Sequence, residues 1–161
     1  MISLTKKILY FVAPCMKRSK GQIMETYDKW GKTYRIEFDI NVDSTESPWD
    51  NVFHFTTGGN CCGSGQRIPG FWAMGSGHFL ICTQLHSNGN YCFTYKFNFG
   101  QTYHVVIAQT GDGIFKIEMD GNVIQQIQNE NTQDFDNVKA YFSDPWHAEF
   151  HGCLSNLQVS K

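Results

Sequence analysis

The sequence predicts an all-β chain folded as an antiparallel sandwich of about twelve strands. Three observations carry this. Apolar and polar residues alternate in one segment after another, the period of a strand with one buried face. Turn chemistry built on Gly, Pro, Asn and Asp returns about every ten residues. No segment shows the 3.6-residue period of an amphipathic helix.

The elements follow in order. Ile2 to Ala13 is a first β segment, ended by Pro14, and Gly21 to Thr26 is a short second one. Tyr34, Ile36, Phe38, Ile40 and Val42 point one way and Arg35, Glu37, Asp39 and Asn41 the other, the cleanest strand in the chain. Asp43 to Asp50 is a loop, Asn51 to Thr57 a strand, and Gly58 to Gly70 a long loop with five glycines and adjacent Cys61 and Cys62. Phe71 to Met74 is short and Gly75 to Gly77 turns. Phe79 to Ile107 reads as a three-strand meander with turns at Asn88-Gly89 and at Asn98 to Gln101. Thr110 to Gly113 and Asp120 to Asn122 are further turns around Phe115 to Met119, and Val123 to Gln128 follows. Val138 to Phe142 and Cys153 to Val159 are the last strands, separated by Asp144-Pro145-Trp146.

The 161 residues suit one domain spanning 1–161, with 13 Phe and 15% aromatics to fill sheet faces. A net charge of −2, with no basic cluster beyond Lys17-Arg18-Ser19-Lys20, excludes a phosphate-tracking nucleic-acid binder. No apolar run approaches the roughly 20 residues of a membrane span, so membrane insertion is not expected. Ile8 to Ala13 follows Lys6-Lys7 but is shorter than the roughly 7–15 residues of a signal peptide core, so it reads as a strand. Either a signal precedes Met1 or the protein is leaderless. Six cysteines, an even count, point to disulfides and an extracellular or secreted location. No C-x₂₋₄-C pair is present to form half of a zinc site.

Five stretches, WGKTYRIEFDI, NVFHFTTGG, GQRIPGFW, FKIEMDGNVI and GCLSNLQV, resemble the concanavalin A-like sandwich in their order and spacing. Within it they are most similar to laminin G-like modules of animal extracellular proteins. The resemblance covers Gly21 to Val159 and leaves 1–20 less certain. It implies a jelly roll of two curved sheets and non-enzymatic recognition of glycans or extracellular proteins in adhesion, matrix or lectin roles. A rim-bound Ca²⁺ is the cofactor it implies.

Two alternatives stay open. A galectin-like soluble lectin would carry H-x-N-P-R and then W-x-x-E-x-R, whereas His54-Phe55-Thr56-Thr57 runs into glycines and no W-x-x-E follows Trp72. A β-glucan-type hydrolase would resemble E-x-D-x-x-E, and here Glu37 and Asp39 stand without the third carboxylate, which Val42 replaces.

If strands alternate up and down, Gly58–Gly70, His86–Asn90, Thr110–Gly113 and Asn129–Asp136 share one rim. The other rim gathers Asp43–Asp50, Gly75–His78, Asn98–Gln101, Asp120–Asn122 and Ser143–His147. The second is the candidate ligand site, with Trp49, Asp50, Asp120, Asn122, Asp144, Trp146 and His147. Indoles stack on sugar rings, and carboxylates with Asn oxygens suit hydroxyls or a hard cation. Asp43, Asp50, Asp120 and Asp144 are the candidates for weak Ca²⁺ binding. A Trp after Pro more often lids a core, and an Asp-Gly-Asn stretch is chiefly turn chemistry. Arg67 either pins the long loop to a carboxylate or reads a ligand.

A two-residue Asn88-Gly89 turn pairs Leu85 with Cys92 and sets Cys82 against Tyr95, which keeps Cys82 and Cys92 on opposite faces. One of Cys61 and Cys62 is then expected to bridge one of them. Terminal strands lie together in the resembling class, which implies a Cys15–Cys153 bridge.

Overall fold

A computed structural model describes residues 9–11, 15, 16 and 18–161; of β1, only the backbone is described. Most of the expected first segment, Ile2 to Ala13, therefore lies outside the described residues. In chain order the strands are β1 (Leu9–Phe11), β2 (Ile23–Trp30), β3 (Tyr34–Ser44), β4 (Trp49–Thr56), β5 (Gly70–Met74), β6 (His78–Leu85) and β7 (Asn88–Lys96). Then come β8 (Thr102–Gln109), β9 (Ile114–Met119), β10 (Asn122–Gln128), β11 (Phe135–Tyr141), β12 (Ala148–Glu149) and β13 (His151–Ser160). No helix occurs among the described residues.

Two antiparallel sheets face each other, one ordered β1-β13-β3-β8-β9-β10 and the other β2-β11-β4-β5-β6-β7. The two-residue β12 joins the second sheet by parallel pairing with β4. This is the jelly-roll sandwich expected from the alternating pattern. Tyr34, Ile36, Phe38, Ile40 and Val42 of β3 all point into the core between the sheets. Phe38 meets Phe53 and Phe71 of the opposite sheet edge-on, with ring centroids 5.2 and 5.4 Å apart. That geometry sets the positive edge of one ring on the negative face of another.

Two expectations about the central stretch are corrected. β8 does not complete a meander with β6 and β7. It crosses to the other sheet, between β3 and β9. The connecting turn is anchored there: Gly100 N donates to Val42 O at 2.8 Å, and Asn41 Nδ2 donates to Gly100 O at 2.8 Å. With that anchor, Tyr103, Val105 and Ile107 fill the core from the β3 side.

The β6–β7 hairpin also turns earlier than its Asn-Gly pair suggests. Leu85 pairs with Asn88, so His86 and Ser87 form the loop, with His86 at φ 57°. His86 N donates to Asn129 Oδ1 at 2.7 Å, which offsets the cost of placing a non-glycine residue in that region. Gly89 is needed for another reason: a Cβ there would lie 2.6 Å from Gly63 O and 2.7 Å from Cys62 O.

The shifted register sets Cys82 opposite Cys92, and the two are bridged with Cα atoms 4.1 Å apart. The expected separation of these cysteines is thus overturned. So is the expected link from the vicinal pair, because Cys61 and Cys62 are bridged to each other. Cys15 and Cys153 are bridged as expected, with Cα atoms 5.0 Å apart, which ties the segment before β2 to the last strand.

Candidate functional site

The outer face of the second sheet carries an unusual load. Antiparallel partners project to the same side, so the pairs Trp49–Met74, Met74–His78 and His78–Lys96 form one row across β4, β5, β6 and β7. At about 4.8 Å per strand the row spans roughly 14 Å. The next row holds Trp72, Leu80 and Thr94, and the one beyond it His54, Gly70, Cys82 and Cys92.

Two loops cover part of this face. Loop 57–69 folds back along β4: Thr57 N donates to Gly65 O at 2.9 Å and Ile68 N to Phe55 O at 3.0 Å. Its Arg67 is buried, with the guanidinium carbon 4.5 Å from the centre of the Trp72 ring. Arg67 Nη1 donates to Asn90 Oδ1 at 2.6 Å, and its Nε donates to Asn60 O at 3.1 Å. Arg67 therefore pins the loop through a carboxamide and an indole, where the sequence suggested a carboxylate. Burial lowers its pKa, and the charge of Asp144 acts in the opposite direction. Trp72 lies flat along its strand and leaves no room for a Cβ at Gly70.

Loop 142–147 covers a second part. Asp144-Pro145-Trp146-His147 is a turn in which the Asp144 carboxylate accepts the Trp146 and His147 amides at 3.0 and 2.9 Å. The same carboxylate accepts from His147 Nδ1 at 2.9 Å and from His54 Nδ1 at 2.8 Å. His54 Nε2 faces Gln66 O at 2.6 Å, so the ring meets both acceptors only with a proton on each nitrogen. His54 and Asp144 are fully buried. Burial pushes the Asp144 carboxyl up, but the hydrogen bonds and charges of His147 and His54 outweigh it and hold it well below the usual carboxylate range.

The loops leave one end of the face open. Trp49 is 42% exposed and Trp146 39%. β12 pairs Ala148 with Asp50, which brings His147 and Trp49, each one residue earlier, beside each other. Trp146 rests edge-on against His54 and Tyr141, at 5.5 and 5.9 Å. Beside Trp49 lies an open cavity of about 430 Å³. Pro48, Trp49 and Met74 supply its apolar wall; Thr45, Ser47, Ser76 and Glu46 supply hydroxyls and a carboxylate.

The expected site residues separate into groups. Trp49, Trp146 and His147 gather at the open end. Asp144 lies beneath them and Asp50 is buried in their frame, where it accepts the Glu46 and Ser47 amides at 2.7 and 3.0 Å. Asp120 and Asn122 belong to the β9–β10 hairpin of the other sheet. Asp120 and Gly121 both take positive φ there, and Asp120 Oδ1 accepts from His104 N at 2.8 Å. Asp43 is exposed near the end of β3. The four aspartates named for Ca²⁺ are thus not brought together, and no group of three or more His, Cys, Asp or Glu suited to a metal occurs among the described residues. The sequence reading missed His54, Trp72, Met74, His78 and Lys96. Alternation places His54 on the face opposite Phe53 and Phe55, and that was the available signal.

The hydrolase pair lies elsewhere, on the outer face of the first sheet. Glu37 and Asp39 flank the His104 ring, at 3.1 Å from Nε2 and 2.7 Å from Nδ1. Arg35 adds 2.8 Å to Glu37, and Asn156 Nδ2 donates to Asp39 at 2.7 Å.

A jelly-roll sandwich with a covered outer face and one open, tryptophan-bearing end is the class of protein that the fold and site define. No protein-family model matches the sequence, and no curated protein matches it. Solved structures do share its fold. A heptameric SAP-like pentraxin from Limulus polyphemus is similar with a TM-score of 0.57 and 16% identity, over 94% of this chain and 74% of that one. The binding domain of Botulinum neurotoxin DC, solved in complex with SialylT, gives 0.54 and 9% identity over 81% of this chain and 32% of that one. An alginate lyase from Pseudomonas aeruginosa gives 0.54 and 12% identity over 82% and 67%. At these identities the likeness is one of fold.

Proposed function

We propose that this chain is a non-enzymatic, extracellular recognition module of the laminin G-like kind, which takes a glycan at the open end of its second sheet. The observation that carries this reading is the half-open Trp49 indole beside a cavity of about 430 Å³ walled by Ser, Thr and Glu side chains. A pyranose offers an apolar face to an indole and hydroxyls to such neighbours. The row from Trp49 through Met74 and His78 to Lys96 extends the site across the sheet.

Three bridges among six cysteines support an oxidising compartment. The neurotoxin neighbour, solved with SialylT, is a binding domain of the same fold. The lyase neighbour keeps catalysis in view, but the carboxylates that sequence analysis singled out are already held by His104, Arg35 and Asn156.

A glycan array run with and without EDTA tests the reading. Binding that survives EDTA and disappears in Trp49→Ala and Trp146→Ala, with melting temperatures close to the parent, is expected. A blank array would sink it. Activity on β-glucans that Glu37→Gln abolishes would replace it with the hydrolase.

A further inference from the structure

The covered face holds a buried positive charge with no carboxylate against it. Arg67 is 3% exposed, and its polar partners among the described residues are Asn60 O, Asn90 Oδ1 and Cys82 Sγ. Asp144 acts on it only through space, and that carboxylate is already held by His54, His147 and two amides. A buried charge without a counter-ion in contact is costly.

The third partner is one sulfur of a disulfide. Arg67 Nη1 lies 3.5 Å from Cys82 Sγ. A bridged sulfur is a weak acceptor, whereas the same sulfur as a thiolate would be the counter-ion that Arg67 lacks. The two halves of the bridge also differ in access. Cys82 is wholly buried on β6, and Cys92, directly opposite, is exposed on the edge strand β7. Thiol–disulfide exchange uses both features. The attacking thiolate must reach one sulfur, and the reaction is faster when the other is a good leaving group.

The geometry points to Cys82–Cys92 as an exchange site for a low-molecular-weight thiol, which attacks Cys92 while Cys82 departs as a thiolate against Arg67. The thiol gives its proton to solvent, and a new sulfur–sulfur bond joins it to Cys92 Sγ. The Cys82–Cys92 bond breaks, and its electron pair goes to Cys82 Sγ. One thiolate is consumed and one released, so no further oxidant or reductant enters. The charged groups on this side are Arg67 and, two strands along the row of Cys82, His54 with a proton on each nitrogen. Both favour an anion at Cys82, while Asp144 and burial oppose it. Contact decides for the anion, because the adjacent guanidinium is already desolvated. The site does not depend on the glycan reading.

Incubation of the full chain with reduced glutathione, followed by acid quench, alkylation and peptide mapping, tests it. Glutathione should appear on Cys92 and the alkyl label on Cys82. Arg67→Gln should slow this opening by roughly threefold or more, with Cys15–Cys153 unaffected. Loosening of loop 57–69 in that variant would speed the reaction, so slower opening reports the lost charge. Cys92→Ser supplies a second measurement that does not rest on rates. Its Cys82 should show thiolate absorbance in the ultraviolet at neutral pH, titrating below the ordinary thiol value of about 8.5. Adding Arg67→Gln should move that midpoint up. Glutathione on Cys82 instead of Cys92, or an Arg67→Gln chain that opens as fast as the parent, would overturn the proposal. So would a Cys82 thiol in Cys92→Ser that titrates at or above about 8.5.

Discussion

Asp144 Oδ2 lies 2.8 Å from His54 Nδ1, and both side chains are wholly buried although they sit on the outer side of a sheet. The pair joins the two covering loops. His54 also holds the carbonyl of Gln66 in loop 57–69, and Asp144 organises its own turn. The open end keeps its shape through this junction, because Trp146 leans on the His54 ring.

Removing His54 leaves the buried carboxylate with His147 and two amides only, and removing the carboxylate leaves the His54 ring with Gln66 O alone. Asp144→Asn or His54→Leu should each cost about 1–3 kcal/mol, read from urea midpoints at constant slope. The pH dependence follows from the lowered Asp144 carboxyl. Its contribution is present in full above the ordinary carboxylate value of 3.8 and is lost as pH falls below it, through the folded value. Acid unfolding of the parent should therefore begin only below about pH 4, with Asp144→Asn flatter in that range. Equal acid sensitivity of the two would show that the junction is not the acid-labile element.

The three bridges predict a defined peptide map: Cys15 with Cys153, Cys82 with Cys92, and Cys61 with Cys62. Cys15 and Cys153 are 138 residues apart, so their bridge closes nearly the whole chain. In the chain-entropy account its loss costs about 4–5 kcal/mol. Cys15→Ser with Cys153→Ser should lower the melting temperature strongly, whereas six free thiols in the native protein would remove the case for an oxidising compartment.

Much of this arrangement was legible in the sequence. Alternation in Tyr34 to Val42 determined which side of β3 meets the core. The up-and-down rule sorted the loops into two rims, and Trp49, Trp146 and His147 do share one. The failures have physical reasons. Alternation assigns His54 to the outer side but does not say that two loops will cover that side. Turn statistics rank Asn-Gly above His-Ser, but a hydrogen bond from the His86 amide to Asn129 and the close approach of loop 57–69 decide between them. Both contacts are far apart in sequence. The crossing of β8 depends likewise on a bond from Gly100 to Val42.

His104 offers a second titration. Its hydrogen bond to Asp39 raises its pKa, helped by the charges of Asp39 and Glu37 and opposed by desolvation. The ion pairs stabilise the fold fully below the ordinary value of 6.5 and fade as pH rises through the elevated one. Proton NMR should show His104 titrating above that value, and Asp39→Asn should bring it down. An unshifted curve in both proteins would mean that the two carboxylates do not hold the ring in solution.

Gly89 separates the two possible hairpins. Were Asn88-Gly89 a type I′ turn, Gly89 would take positive φ, and asparagine, which tolerates that conformation, would replace it cheaply. In the structure Gly89 is a strand residue outside the left-handed region, packed against the carbonyls of Cys62 and Gly63. Both obstacles are backbone, so a side chain must push loop 57–69 away. Gly89→Asn and Gly89→Ala should each cost about 1–3 kcal/mol. Loosening that loop also frees Arg67 from Asn90, so the cost should fall by more than about 0.5 kcal/mol when Asn90→Ala is already present. Chemical denaturation of the two single variants and the double variant measures this. A neutral Gly89→Asn would restore the two-residue Asn-Gly turn, and Cys82 and Cys92 could then no longer face each other.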